Sequence, residues 1–164
     1  MKVRTLGALG MVLAVAGACF GQLDPGKLRF NGVGLGSTYG QVTKALGKPS
    51  RETKPKSEAC AGGREKSATY QGASFTFMDS GTETFKVMSF EVTSPQYSVS
   101  GIKVGDRQLT VKRVLGSKFT SGAGAVQGTT DWMFEIGDED GPGWTAVTFK
   151  KGKVVSISSG YAVC

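Results

Sequence analysis

Histidine is missing from this 164-residue sequence altogether. Its absence removes Ser-His-Asp catalysis, most catalytic zinc sites and the usual general base near neutral pH. Cysteine is scarce, with Cys19, Cys60 and Cys164 alone, which excludes a dense disulfide framework. A long apolar run is also lacking. The stretch Leu6 to Ala16 falls well short of the roughly 20 residues a transmembrane helix needs, so no transmembrane span is expected. Acidic residues number 13 against 20 lysines and arginines, giving a net charge of +7. Glycine, by contrast, occurs 25 times and punctuates the whole chain.

The N-terminus reads as a leader. Lys2 and Arg4 precede the apolar stretch, and Ala16-Gly17-Ala18 has the small-residue spacing of a cleavage site. Residues 1–22 are therefore a signal peptide in this reading, and the chain is exported, either periplasmic or secreted. Cys19 directly after the site offers a second outcome: lipidation there, with an outer-membrane anchor. Losing Lys2 and Arg4 lowers the net charge to +5. Either route leaves Cys60 and Cys164 in an oxidising compartment, where they form one disulfide or remain two separate thiols.

Beyond the leader one stretch is used twice. Residues 32–47 and 101–116 align without a gap at an offset of 69, sharing glycines at 32/101, 36/105 and 47/116, valines at 42/111 and leucines at 46/115. Each copy reads as a short apolar strand followed by a helix, at about 38–46 and 106–115. Ser37 and Asp106 stand as N-caps, Val42/Leu46 and Val111/Leu115 make the apolar faces, and Gly47 and Gly116 fit left-handed C-terminal positions. Strands are expected at 67–71, 73–79 and 85–93, and again at 130–136, 144–150 and 153–158, from alternating apolar residues. Lys151-Gly152 is a primed two-residue hairpin loop.

These elements predict an α+β fold: two tandem helix-plus-antiparallel-sheet repeats, residues 23–98 and 99–164, packed as one unit because one repeat is too small to fold well alone. Alternation puts Met88, Phe90 and Val92 against the helix. On the open sheet face it leaves Met78, Val87, Met133, Trp144 and Val154, large apolar groups that a purely solvated surface does not need. These five are the candidate partner contacts. A second candidate is the basic run Lys44, Lys48, Arg51, Lys54, Lys56, Arg64 and Lys66, read as a solvated loop or as a contact with an acidic partner or an anionic surface. Nucleic acid is not expected, because no aromatic residues interleave with these charges for base stacking.

No catalytic residue, metal ligand or cofactor is assigned. Ser100…Lys103 spells S-x-x-K, but on a strand those positions point to opposite faces. Asp138-Glu139-Asp140-Gly141 lacks the spacing of a calcium loop and reads as a hairpin tip.

At Gly36-Ser37-Thr38, Gln41-Val42 and Leu46-Gly47-Lys48-Pro49 the sequence resembles the helix signature of the small outer-membrane assembly-factor lipoproteins, the SmpA/OmlA family. The tandem arrangement over residues 30–163 is similar to β-lactamase-inhibitor-protein-like (BLIP-like) folds. The resemblance implies a non-enzymatic protein that works by binding. The expected function is an exported envelope module that binds or scaffolds another envelope or secreted protein through its open sheet face. The alternative is a secreted inhibitor of an enzyme such as a β-lactamase or protease.

Overall fold

The computed structural model describes residues 22–58, 63–79, 81–138 and 141–162. Residues 1–21 of the expected signal peptide, Cys19 among them, Cys60, Cys164 and residues 139–140 all lie outside the described residues.

Alternating apolar residues build the strands. In the first half these are β1 (Arg51–Glu52), β2 (Lys56–Glu58), β3 (Gly63–Tyr70), β4 (Ala73–Asp79) and β5 (Lys86–Val92). A small hairpin of β6 (Ser98–Val99) and β7 (Ile102–Lys103) links them to β8 (Thr120–Ala123), β9 (Thr129–Asp138), β10 (Gly141–Lys150) and β11 (Lys153–Tyr161). The helices are α1 (Tyr39–Leu46) and α2 (Gln108–Leu115), eight residues each.

The α+β expectation of two helix-plus-sheet repeats packed as a BLIP-like unit is overturned. The chain is mostly β, and nine strands form one continuous antiparallel sheet in the order β1-β3-β4-β5-β11-β10-β9-β8, with β2 also on β3. Left apart, β5 and β11 would each present an edge of unpaired N–H and C=O groups. They pair with each other instead, through Val92–Ile157, Glu91–Ser158, Phe90–Ser159 and Ser89–Gly160. The basic segment expected as a loop also joins the sheet, carrying β1, β2 and the start of β3, and β8 lies at the start of the glycine-rich residues 121–128.

Helix α1 begins one residue later than expected, because Thr38 is its cap. The Thr38 hydroxyl accepts from the Gln41 N–H at 3.2 Å and the Gln41 side chain accepts from the Thr38 N–H at 2.7 Å, a reciprocal capping box. Ser37 and Asp106 bond backwards instead, Ser37 Oγ accepting from the Gly34 N–H at 3.1 Å and Asp106 Oδ2 from the Lys103 N–H at 2.8 Å. Arg107 therefore caps α2 with no side-chain bond. Both helices stop at glycines whose φ/ψ, 81°/−160° and 83°/−166°, lie in a region open essentially to glycine alone.

Two β-bulges set which residues reach the core. Thr76 pairs with Ser89 but Phe77 with Val87, so Met88 is an extra residue. Thr148 pairs with Ser156 but Phe149 with Val154, so Val155 is extra. Each bulge reverses the alternation and turns Val87 and Val154 inward. There they tie the sheet to the helix starts: Gly36 N and Gly105 N donate to the Val87 and Val154 carbonyls at 2.9 and 2.7 Å.

The core lies between the sheet and the helix side. Val42, Val111 and Leu115 from the helices pack with Phe75, Phe77, Phe90, Phe134, Phe149 and Ile157 from the strands. Residues 22–29 belong to the packed structure: Leu28 is buried, and the 3-10 turn Pro25–Lys27 covers β9 and β10.

Candidate functional site

The solvent-facing side of the sheet is built from cross-strand rows. One runs Glu135–Trp144–Gly160–Ser89–Thr76–Ser67. The next runs Thr120–Met133–Ala146–Ser158–Glu91–Ser74–Thr69 across seven strands. Hydroxyl side chains fill three of the six positions in the first row and four of the seven in the second. Ser74, Thr76, Ser89, Glu91, Trp144 and Ser158 line a shallow depression of about 360 Å³. The Trp144 indole fits because position 160 is glycine: a Cβ there would stand 3.1 Å from Cζ2 of Trp144. An aromatic ring laid across a cross-strand glycine covers backbone that would otherwise be bare.

Of the five apolar residues expected on this face, the structure keeps Trp144, half-buried, and Met133, 36% exposed. They sit diagonally on the neighbouring strands β10 and β9, since Met133 faces Ala146 and Trp144 faces Glu135. Val87 and Val154 are corrected to core residues, both essentially fully buried by the bulges. Met78 is buried as well, beside Lys86 and Met88. Glu91 and Glu135 are exposed on the same face and place negative charge beside Trp144 and Met133.

The basic run divides in two. Lys66 is buried, with Nζ 3.1 Å from Glu52 Oε1, 3.2 Å from the centre of the Tyr39 ring and 4.9 Å from that of Phe85. The Tyr39 hydroxyl donates to Glu52 Oε2 at 2.7 Å. Burial pushes the Tyr39 phenol up to about 12, and the hydrogen bond to Glu52 adds to it. The same bond, joined by Lys66, holds the Glu52 carboxyl below its ordinary value. Arg64 places Nε and Nη2 on Asp79 Oδ2 at 3.0 and 2.6 Å, and its own N–H donates to Oδ1 at 3.0 Å. That pairing lowers the Asp79 carboxyl and raises the Arg64 guanidinium. The first group fixes α1 and β1 to β3, and the second ties β3 to β4.

The other five, Lys44, Lys48, Arg51, Lys54 and Lys56, are exposed. Lys44 sits in the last turn of α1, where a cation complements the helix dipole. Arg51 and Lys56 lie on β1 and β2, and charged side chains on such strands discourage edge-to-edge pairing.

A second cationic cluster was missed by the sequence reading. Lys150, Lys151 and Lys153 flank the β10–β11 turn, whose Lys151 and Gly152 have φ of 52° and 74°, the pattern of a type I′ loop. The signal was present as Lys150-Lys151-Gly152-Lys153 but read only as a turn. Among the described residues no group of three His, Cys, Asp or Glu side chains could hold a metal ion, and no helix is long and apolar enough to cross a membrane.

No family model matches the sequence, and no curated protein matches it. Among solved structures, the chain is similar to part of an extracellular protein containing a SCP domain from Bacillus anthracis str. Ames, at a TM-score of 0.48 and 14% identity. The alignment covers 98% of this chain and 50% of that one, so this chain spans about half the length of that protein.

Proposed function

We propose that this chain is an exported, non-enzymatic binding module that presents the open face of its sheet to another protein of the envelope or extracellular space. The observation that carries the reading is Trp144 seated on Gly160 beside Ser74, Thr76, Ser89 and Ser158, with Met133 exposed one strand away. A large aromatic and a thioether beside short polar side chains form an anchor with a hydrogen-bonding surround, the composition of a binding patch. Glu91 and Glu135 frame it, so the matching surface carries an apolar group and positive charge. The leader-like N-terminus and the helix signature shared with outer-membrane assembly-factor lipoproteins support an envelope setting.

Site-specific photo-cross-linking in intact cells tests this. A photo-reactive residue in place of Met133 is expected to give a discrete cross-linked species, weakened by Trp144→Ala. The same probe at Leu109, exposed on α2, is expected to give none. Equal species from both positions, or one from Leu109 alone, would remove the open face as the binding surface.

A further inference from the structure

The second bulge creates a surface that the first does not. Around Val155 the sheet leaves a broad, shallow apolar depression of about 650 Å³, lined by Pro95, Val104 and Val155 and rimmed by Lys150, Lys151 and Lys153. Arg107 is paired with Lys153 through a backbone bridge, and Lys103 precedes Val104, so five cations gather at this end of the molecule. The acid within the group, Asp106, has its carboxylate on the Lys103 N–H. The corresponding depression beside the first bulge holds Met78, Met88 and Tyr161 with a single lysine, Lys86. The bulge alone therefore does not require this charge.

We propose that the β10–β11 turn docks on an anionic bilayer surface, with Lys150, Lys151 and Lys153 on the headgroups and Val104, Val155 and Pro95 at the level of the interface. The depression is wide and open, and its rim is of flexible lysines, so it offers no cradle for a single small anion. Lysine stems cover apolar surface while their ammonium groups reach outward, which suits a plane that is charged outside and apolar beneath. Lysine beside an anionic leaflet contributes additively, over a range set by ionic screening. The proposal concerns the turn end of the sheet, six residues along β10 from Trp144, and stands or falls separately from the Trp144–Met133 patch.

Co-sedimentation with phosphatidylcholine vesicles carrying 0 to about 40% phosphatidylglycerol tests the proposal over a range of salt. The full chain is used, and all variants share residues 1–22, so any contribution of that segment cancels. Lys150→Glu/Lys151→Glu/Lys153→Glu is expected to reduce partitioning on the order of a hundredfold. Lys44→Glu/Lys54→Glu/Lys56→Glu, with the same change in net charge, is expected to reduce it by less than about threefold. Thermal melts verify that each variant is folded, and the glutamine triple at 150, 151 and 153 separates loss of attraction from added repulsion. Equal losses in the two glutamate triples would overturn the proposal by reducing it to net charge. So would absence of phosphatidylglycerol-dependent binding, including the case in which polyglutamate binds the turn and vesicles do not.

Discussion

The surroundings of α1 and α2 solve one problem with opposite placements of charge and ring. An eight-residue helix is marginal alone and must be held by its neighbours. At α1 the ring is on the helix, as Tyr39, and the cation rises from the sheet, as Lys66 at 3.2 Å. At α2 the cation is on the helix, as Lys112, and the rings belong to Phe119 and Trp132, at 5.8 and 5.3 Å. The strands beneath show the same reciprocity. Counting outward from the β5–β11 seam, one row reads Phe90, Phe75, Ala68 and its counterpart Ile157, Val147, Trp132. Bulk moves from the middle strand to the outer one. Likewise Ala73 beside Val92 is matched by Thr145 beside Ser159, whose hydroxyls lie 3.0 Å apart and reach the carbonyls of Pro25 and Trp144. Shape and volume are held in both regions, while the residue types that supply them are exchanged.

The largest test of this exchange is Trp132→Ala, expected to cost about 3–5 kcal/mol in urea denaturation. Adding Val147→Phe recreates the Phe75–Ala68 arrangement and is expected to recover part of the loss. No recovery would break the equivalence of the two rows. Next is the contrast between cations. Lys66→Ala is expected to cost about 2 kcal/mol, because it strips a buried partner from Glu52, itself partly hydrated. Lys112→Ala is expected to cost under about 1 kcal/mol, the range of an exposed cation over a ring. Smaller is the cap: Thr38→Ala should lose about 1 kcal/mol and Arg107→Ala should stay within about 0.5 kcal/mol of the parent.

The smallest difference is in pH response. Glu52 and Asp79 lie below their ordinary values, so their contribution is present above about pH 4 and is lost as pH falls through the depressed ones. Tyr39 lies near 12, above the ordinary value of about 10, so its contribution holds below pH 10 and is lost as pH rises toward 12. Tyr39→Phe is expected to flatten the fall in melting temperature between about pH 10 and 12. An unchanged alkaline limb in that variant would place the titration elsewhere.

The alternation of Phe75 and Phe77, and of Trp132, Phe134 and Ile136, made the strands legible. What alternation could not register was a single inserted residue. Met88 and Val155 leave the local composition unchanged, yet each shifts the phase by one and moves Val87 and Val154 from an expected surface to the core. Ser37 and Asp106 had the right chemistry for capping, but a bond back to the third residue before them is equally available to such side chains. Pairing between β5 and β11 depends on residues far apart in the chain, which local patterns do not encode. Lys66 read as solvated among other charges because burial of a lysine depends on Tyr39, Phe85 and Glu52 arriving from three separate segments. Trp144 and Met133 were legible because they lie beyond the bulges' reach.

The seam itself is short. Four residue pairs join the two arms of the sheet, with partners 65 to 71 positions apart in the chain. Nothing in their geometry records that both strands come from one chain. Two molecules that exchanged C-terminal arms through the segment after Val92 would form the same seam twice and bury the same core. An arm-exchanged dimer is therefore expected to gain ground as concentration rises, with size-exclusion chromatography as the check.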